Sequence, residues 1–184
     1  MKIVLIDGNP DTADEKFTNY VNDYAQELKQ SGAEVVQFTL RDMDINFCDG
    51  CWTCWWKTPG KCVFTDDAVE IYPEMVACDK LIFFSPLSMG YVSSLIKKFH
   101  DRSIPVLHPY TEIVDGEFHH RKRYEKYPLL GVVVKPEPDT DEEDLQIVHD
   151  LYKRYALNFR SSLDFFRVME VIETEEVLSE AHSV

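Results

Sequence analysis

Four of the five cysteines, Cys48, Cys51, Cys54 and Cys62, fall in one window spaced C-x2-C-x2-C-x7-C, while Cys78 stands apart. Two successive x2 steps bring three thiolates together, and Pro59-Gly60 gives the chain a turn before Cys62 returns. Runs of this kind hold [4Fe–4S] clusters. Zinc also accepts four thiolates, although two CxxC steps and a distant fourth are less typical of it. A disulfide or redox thiol pair is a third use of the same residues, and unligated thiols a fourth. In a reducing compartment a local cluster points to metal or thiol chemistry more than to structural disulfides. Trp52, Trp55 and Trp56 interleave the cysteines and would shield a cluster, pack at a subunit interface, or simply fill a core. Cys78 reads as a buried structural thiol.

Two other stretches have the residue types of ligand loops. In SPLSMGY, Ser85, Pro86, Leu87, Ser88, Met89, Gly90 and Tyr91 follow an apolar run. Pro86 restricts the backbone, and Gly90 permits a positive φ or close approach to a flat ring. Exposed amides there suit the polar edge of such a ring, and Tyr91 could cover its face. An ordinary strand-to-helix turn uses the same punctuation. In GNPDT, Asn9, Pro10, Thr12 and the following amides suit a phosphate at a helix N-terminus. Asp11, Asp14 and Glu15 favour the helix dipole but repel a phosphate, so a helix capped by its own acids is the competing reading. Lys135, in KPEPD, could offset some of that charge. The six histidines are scattered, and no Ser-His-Asp set, Walker loop or paired-carboxylate motif stands out.

These loops must be positioned by the segments between them. KIVLI at 2–6 is a continuous apolar run, as expected for a parallel strand buried on both faces. Phe17, Tyr20, Val21, Tyr24, Ala25 and Leu28 share one helix face, ended by Ser31-Gly32. EVVQFTL at 34–40 completes a right-handed βαβ unit. The cysteines then lie in a loop over 41–64, followed by a helix near 66–77 that Pro73 should bend or interrupt. KLIFFS at 80–85 is the third strand, with a helix near 93–104 after it. Residues 105–128 have no period and read as a functional excursion. LLGVVV at 129–134 is the fourth strand. Thr140 and Glu143 form an expected capping box for the last helix. LDFFRVMEVI is the fifth strand, and 173–184 an acidic tail. The expectation is one α/β domain over 1–184, a flavodoxin-like doubly wound parallel sheet of five strands in the order 2-1-3-4-5, with helices on both faces. Ligands of such sheets sit beyond the carboxyl ends of the strands at the switch point, here between strands 1 and 3.

The 184 residues suit one core, and 45% of them are hydrophobic. A formal net charge of -14 argues against nucleic acid, which needs Lys and Arg to displace counterions. His119-His120-Arg121-Lys122-Arg123 is read as a solvated or subunit-facing segment. No apolar stretch approaches the roughly 20 residues of a membrane span. MKIVLIDG reads as a strand and not a signal peptide, so a cytoplasmic location without membrane attachment is expected.

SPLSMGYVSSLIKKFHDR, at 85–102, resembles the second flavin loop of NADPH-dependent FMN reductases. The combination IDGNP…CDGCWTC…GKC…DD…SPLSMGY, over 6–102, is similar to the branch of that superfamily containing the iron–sulfur flavoproteins; the last eighty residues resemble it only in topology. The resemblance implies FMN held across residues 8–12 and 85–91, NAD(P)H as electron donor, and a quinone, a small acceptor or an Fe–S cluster as electron acceptor. It further implies a homodimer or homotetramer, with the Cys loop of one subunit near the flavin of another. Loop 1 departs from the family in its acids, and KPEPD lacks the Thr-Gly often found in the third loop. Two other classes fit the same sequence: a non-enzymatic electron carrier exchanging electrons with a protein partner, and a cofactor-free flavodoxin-like binding protein.

Overall fold

The computed structural model describes residues 1–169. The acidic tail and the end of the expected fifth strand lie outside the described residues. The elements run β1 (Lys2–Asp7), α1 (Glu15–Gln30), β2 (Glu34–Thr39), α2 (Thr53–Trp56), α3 (Ala68–Ala77), β3 (Lys80–Ser88), β4 (Tyr91–Val92) and α4 (Ser94–Arg102). They continue with β5 (Thr111–Val114), β6 (Glu117–His120), β7 (Leu129–Lys135), α5 (Glu142–Asn158) and β8 (Leu163–Val168). The main sheet has the order β2-β1-β3-β7-β8 with every pair on that path parallel, which is the expected 2-1-3-4-5 arrangement. The apolar runs in β1, β3 and β7 occupy its centre because both their faces are covered. Val4, Ile6 and Phe83 pack on one face with residues of α3, α4 and α5, while Ile3, Leu5 and Phe84 pack on the other with Phe17, Val21 and Ala25 of α1. No helix among the described residues is long and apolar enough to cross a membrane.

Several local expectations change. Helix α3 runs unbroken through Pro73; burial of Ala68, Ile71, Tyr72 and Met75 against the sheet holds both of its turns despite one lost backbone bond. The capping box on α5 is built by Asp141 and Asp144, one residue later than Thr140 and Glu143. Thr140 instead accepts the Glu137 amide through Oγ1. β3 continues past Ser85 to Ser88 and turns through Met89 and Gly90, φ +53° and +72°, into β4. Two consecutive positive φ values make this a two-residue hairpin turn, the conformation for which Gly90 is suited. The irregular 105–128 stretch contains the β5–β6 hairpin. The basic cluster is not wholly solvated, since the His119 side chain is buried and its Nδ1 pairs with Asn158 Oδ1 at 3.0 Å.

Candidate functional site

Parallel register brings the ends of the central strands level: Asp7 lies beside Phe84, and Pro86 beside Lys135. The loops after β1, β3 and β7 therefore open into one pocket of about 420 Å³, lined by Asn9, Pro10, Pro86, Leu87, Ser88 and Lys135 among others. That volume falls in the range of small-molecule sites. Of the ten residues expected here, the structure brings Asn9, Pro10, Pro86, Leu87 and Ser88 to the pocket wall. Thr12 is exposed outside it. Ser85 is buried beneath it, its Oγ accepting the Ser93 amide at 2.8 Å. Met89 is 95% exposed at the hairpin tip. Tyr91 faces the opposite side of the hairpin, where with Tyr152 and Tyr155 it lines a different cavity. Gly90 contributes the turn; its amide donates to Glu137 Oε2 at 3.3 Å.

Loop 1 satisfies most of its own amides. Asn9 N donates to Asp7 Oδ1, Asp11 N to Asn9 Oδ1, Ala13 N to Asp11 Oδ1 and Phe17 N to Asp14 Oδ1, all within 3.1 Å. Asp7 is buried, which pushes its pKa up, against the pull of the Asn9 amide and Arg41. Arg41 reaches both Asp7 Oδ2 and the Asn9 carbonyl. Asp14 points into the pocket and pairs with Lys135. Burial works to raise its pKa, but the bonds from Lys135 and the Phe17 amide outweigh that and leave it lowered. A phosphate here would meet a helix N-terminus and one lysine, with Asp14 already holding that lysine. The pocket has the volume for a flavin-sized ligand, and Lys135 would be shared between Asp14 and a phosphate bound there.

The four window cysteines line a second, much smaller cavity of about 20 Å³. Cys48 and Cys51 are on its exposed side, and Cys54 is buried. The Cys54 thiol is pushed up to about 11, first by burial and then by the neighbouring Cys62, Cys48 and Cys51. Hydrogen bonds from Thr53 lower Cys51. Among the described residues no three His, Cys, Asp or Glu side chains stand at metal-binding spacing. The four cysteines border one small cavity without standing at metal-ligand spacing from one another. Trp52 adopts φ +58° at the head of α2, a strained conformation for a bulky residue. Trp55 packs inward, its Nε1–H donating to the Ile104 carbonyl, and Trp56 is exposed. Cys78 is buried elsewhere, its thiol on the Met75 carbonyl, as expected of a structural cysteine.

A family model described as NADPH-dependent FMN reductase matches residues 1–133. The chain belongs to the NADPH-dependent FMN reductase family. An iron–sulfur flavoprotein of Methanocaldococcus jannaschii is 35% identical over 106 residues, covering 58% of this chain and 53% of the relative. An iron–sulfur flavoprotein of Archaeoglobus fulgidus is 31% identical over 103 residues, 56% of this chain and 49% of the relative. The chain spans about half the length of these curated relatives. Among solved structures, an FMN-dependent NADH-azoreductase from Bacillus anthracis in complex with FMN superposes with TM-score 0.62 at 15% identity, over 98% of this chain and 93% of that one. An NAD(P)H:quinone oxidoreductase from Methanothermobacter marburgensis gives TM-score 0.62 at 14% identity, over 92% and 85%. At such identities the likeness concerns the fold.

Within the family frame, α4 links the two cavities. Ser93, its N-cap, and Ser94 are at the flavin-type pocket, while Asp101 and Arg102 are at the cysteine cavity. Eight helical steps separate Ser94 from Arg102, about 12 Å along the axis. Ser93 also fastens the loops together, its Oγ donating to the Gly8 carbonyl and accepting the Ile96 amide. Arg102, 1% exposed, forks onto Asp66 through Nη1 and Nη2. Neither the Arg102–Asp66 pair nor Arg41–Asp7 has a spacing that marks it in the sequence. Asp-Arg at the end of a helix was the one signal for Arg102, and it names no partner.

Proposed function

We propose that the chain is an FMN-dependent oxidoreductase that takes electrons from NAD(P)H and passes them to a quinone, a small acceptor, or a metal centre in its own cysteine cavity. The observation that carries this reading is the single pocket formed by the loops after β1, β3 and β7, in a chain whose first 133 residues match the FMN reductase family. FMN, when bound, supplies the redox chemistry. Asn9, Pro10, Pro86, Leu87 and Ser88 would hold and orient it, Lys135 would be the cation available to its phosphate, and the hairpin through Ser85, Met89, Gly90 and Tyr91 shapes the wall beside it. No side chain is assigned as acid or base, because the flavin itself would carry the chemistry and the protein supplies orientation and electrostatics.

We infer further that the cysteine loop holds a second redox centre. Cys48, Cys51, Cys54 and Cys62 would hold it, with [4Fe–4S] favoured over zinc by the spacing and by the iron–sulfur flavoproteins to which the chain is similar. A centre there would lie at the far end of α4 from the flavin pocket. The test is anaerobic purification followed by a visible spectrum, flavin, iron, sulfide and zinc analysis, and NAD(P)H consumption. Flavin retention with NAD(P)H-dependent turnover is expected; protein that neither retains added FMN nor consumes NAD(P)H would refute the enzyme.

The net charge of -14 favours one other reading, an electron carrier that docks on basic protein partners. Such a carrier binds FMN but shows little NAD(P)H consumption without a partner reductase. The homo-oligomer that the family resemblance implies and the cytoplasmic location expected from the sequence are compatible with either reading, and sedimentation of the loaded protein measures its assembly.

A further inference from the structure

We propose that the pocket at the ends of β1, β3 and β7 discriminates by the tail of its flavin, taking riboflavin, whose ribityl chain ends in an uncharged hydroxyl, more tightly than the same flavin carrying a phosphate. The inference rests on the reading of this pocket as a flavin site. Two observations carry it. The first is that the groups able to receive a phosphate are already held by the chain's own oxygens. Asp11 N donates to Asn9 Oδ1 at 3.0 Å and Ala13 N to Asp11 Oδ1 at 2.8 Å. Phe17 N, in the first turn of α1, donates to Asp14 Oδ1 at 3.1 Å, and Asp14 Oδ2 holds the Lys135 ammonium. A helix N-terminus binds an anion through such amides and the charge they present, and here carboxylates of the loop take that place. On the hairpin side the Gly90 amide donates to Glu137 Oε2. The N-terminus of α4, also at the pocket, is capped in the same way, Ile96 N donating to Ser93 Oγ.

The second observation is the charge of the wall. Among the described residues lining the pocket, the carboxylates of Asp11, Asp14 and Glu137 stand against one cation, Lys135, which is itself paired. A phosphate dianion entering this space is repelled, whereas a neutral tail is not. What the wall still offers suits hydroxyl groups. Asp11 uses Oδ1 and Glu137 uses Oε2 in the loop bonds, so each has a second carboxylate oxygen to accept from a donor. Ser88 and Ser94 add neutral hydroxyls. A ribityl hydroxyl donating to a carboxylate makes a charge-assisted bond, stronger than one between neutral groups. A phosphate has no such proton to give.

The test is fluorescence titration of flavin-free protein with riboflavin, FMN and lumiflavin, which lacks the hydroxylated chain, at low and high salt. Riboflavin should bind more tightly than FMN by roughly threefold or more at low salt, with the gap closing as salt screens the wall. It should also bind more tightly than lumiflavin, because its hydroxyls find acceptors. The variant is the triple Asp11→Asn/Asp14→Asn/Glu137→Gln, with circular dichroism recorded alongside. Each amide of the loops then keeps a side-chain acceptor, and only the negative charge is removed. The triple variant should bind FMN at least as tightly as riboflavin, chiefly through a gain in FMN. A merely structural change would move the two ligands together. Wild-type protein that binds FMN as tightly as riboflavin or more tightly overturns the selection, as does a folded variant with the wild-type ratio. Should the variant fail to fold, the wild-type ratio and its salt dependence decide. Wild-type protein that binds none of the three flavins refutes the flavin reading itself, and the selection with it, which separates that failure from the others.

Discussion

The ammonium of Lys135 pairs with the carboxylate of Asp14, tying the carboxyl end of β7 to the N-cap of α1 across the mouth of the flavin-type pocket. Both groups are where a phosphate would be received, and each lowers the other's availability. Asp14→Asn should tighten FMN binding roughly fivefold, about 1 kcal/mol, with the gain shrinking at high salt. Asn is also a good N-cap, so α1 should keep its stability. Lys135→Met should weaken binding by a similar factor. Fluorescence titration of apoprotein with FMN at two ionic strengths measures both; equal affinities in all three proteins would place the phosphate away from this pair.

The strand order and the position of the pocket were legible because they follow from the apolar runs 2–6, 80–85 and 129–134, each too apolar for anything but a doubly covered strand. The hairpin through Met89-Gly90 was not, because Met is a poor marker of positive φ and the Ser-Pro pair reads as a strand end. Half of the expected loop residues line the pocket; Tyr91 does not, because the hairpin turns it to the α4–α5 side. The acids of loop 1 were visible, but not that Asp11 and Asp14 occupy the loop's own amides. Long-range pairs such as Arg102–Asp66, 36 positions apart, have no local signature. They exist because α4 ends against the cysteine loop.

Gly8 is a close-approach glycine. A Cβ there would lie well inside van der Waals contact of Ile96, which is fully buried on α4. Gly8→Ala should cost about 1–3 kcal/mol, the usual range for overpacking a tight core. It should also weaken FMN binding, since α4 and loop 1 are joined here by the Ser93 bond to the Gly8 carbonyl. Combining Gly8→Ala with Ile96→Ala should cost less than the sum of the two, because the second change makes room for the first. Denaturant melts of the four proteins give the cycle, and strict additivity would show that the two sites do not touch.

His100 should make the fold sensitive to mild acid. Its ring stacks on Tyr155 at 4.3 Å and meets Phe83 edge-on at 4.9 Å, with a buried Nε2 that has no partner. Burial, helped by Lys97, pushes its pKa down to about 3. The unfolded chain takes up this proton below about pH 6.5, while the folded chain does not until much lower pH. Stability is therefore intact above neutrality and falls as the pH drops from 6.5, by about 2 kcal/mol at pH 5. His120, also lowered by burial, acts in the same direction, so the test is a difference. His100→Phe should unfold with a shallower pH dependence between pH 7 and 5 than the wild type; identical slopes would show that His100 takes up its proton equally in the folded and the unfolded chain.

Cys54 and Cys78 are both buried thiols, yet they should behave oppositely towards metal. Cys54 is at the inner wall of the cavity it shares with Cys48, Cys51 and Cys62, and is raised by all three. Bringing four thiolates together without a cation is unfavourable, so a bound centre relieves a repulsion that the apoprotein meets by protonation. Cys78 donates to the Met75 carbonyl at the end of α3 and is raised to about 12 by burial, with a backbone bond to Val4 opposing. Cys54→Ser should lose most of the iron and sulfide found after anaerobic reconstitution, while Cys78→Ser should retain wild-type amounts and lose only some thermal stability. Reconstitution with zinc alone in place of iron would keep the four ligands and remove their redox role. Equal metal content in wild type and Cys54→Ser would detach Cys54 from the set and leave the cavity a structural packing of thiols and tryptophans.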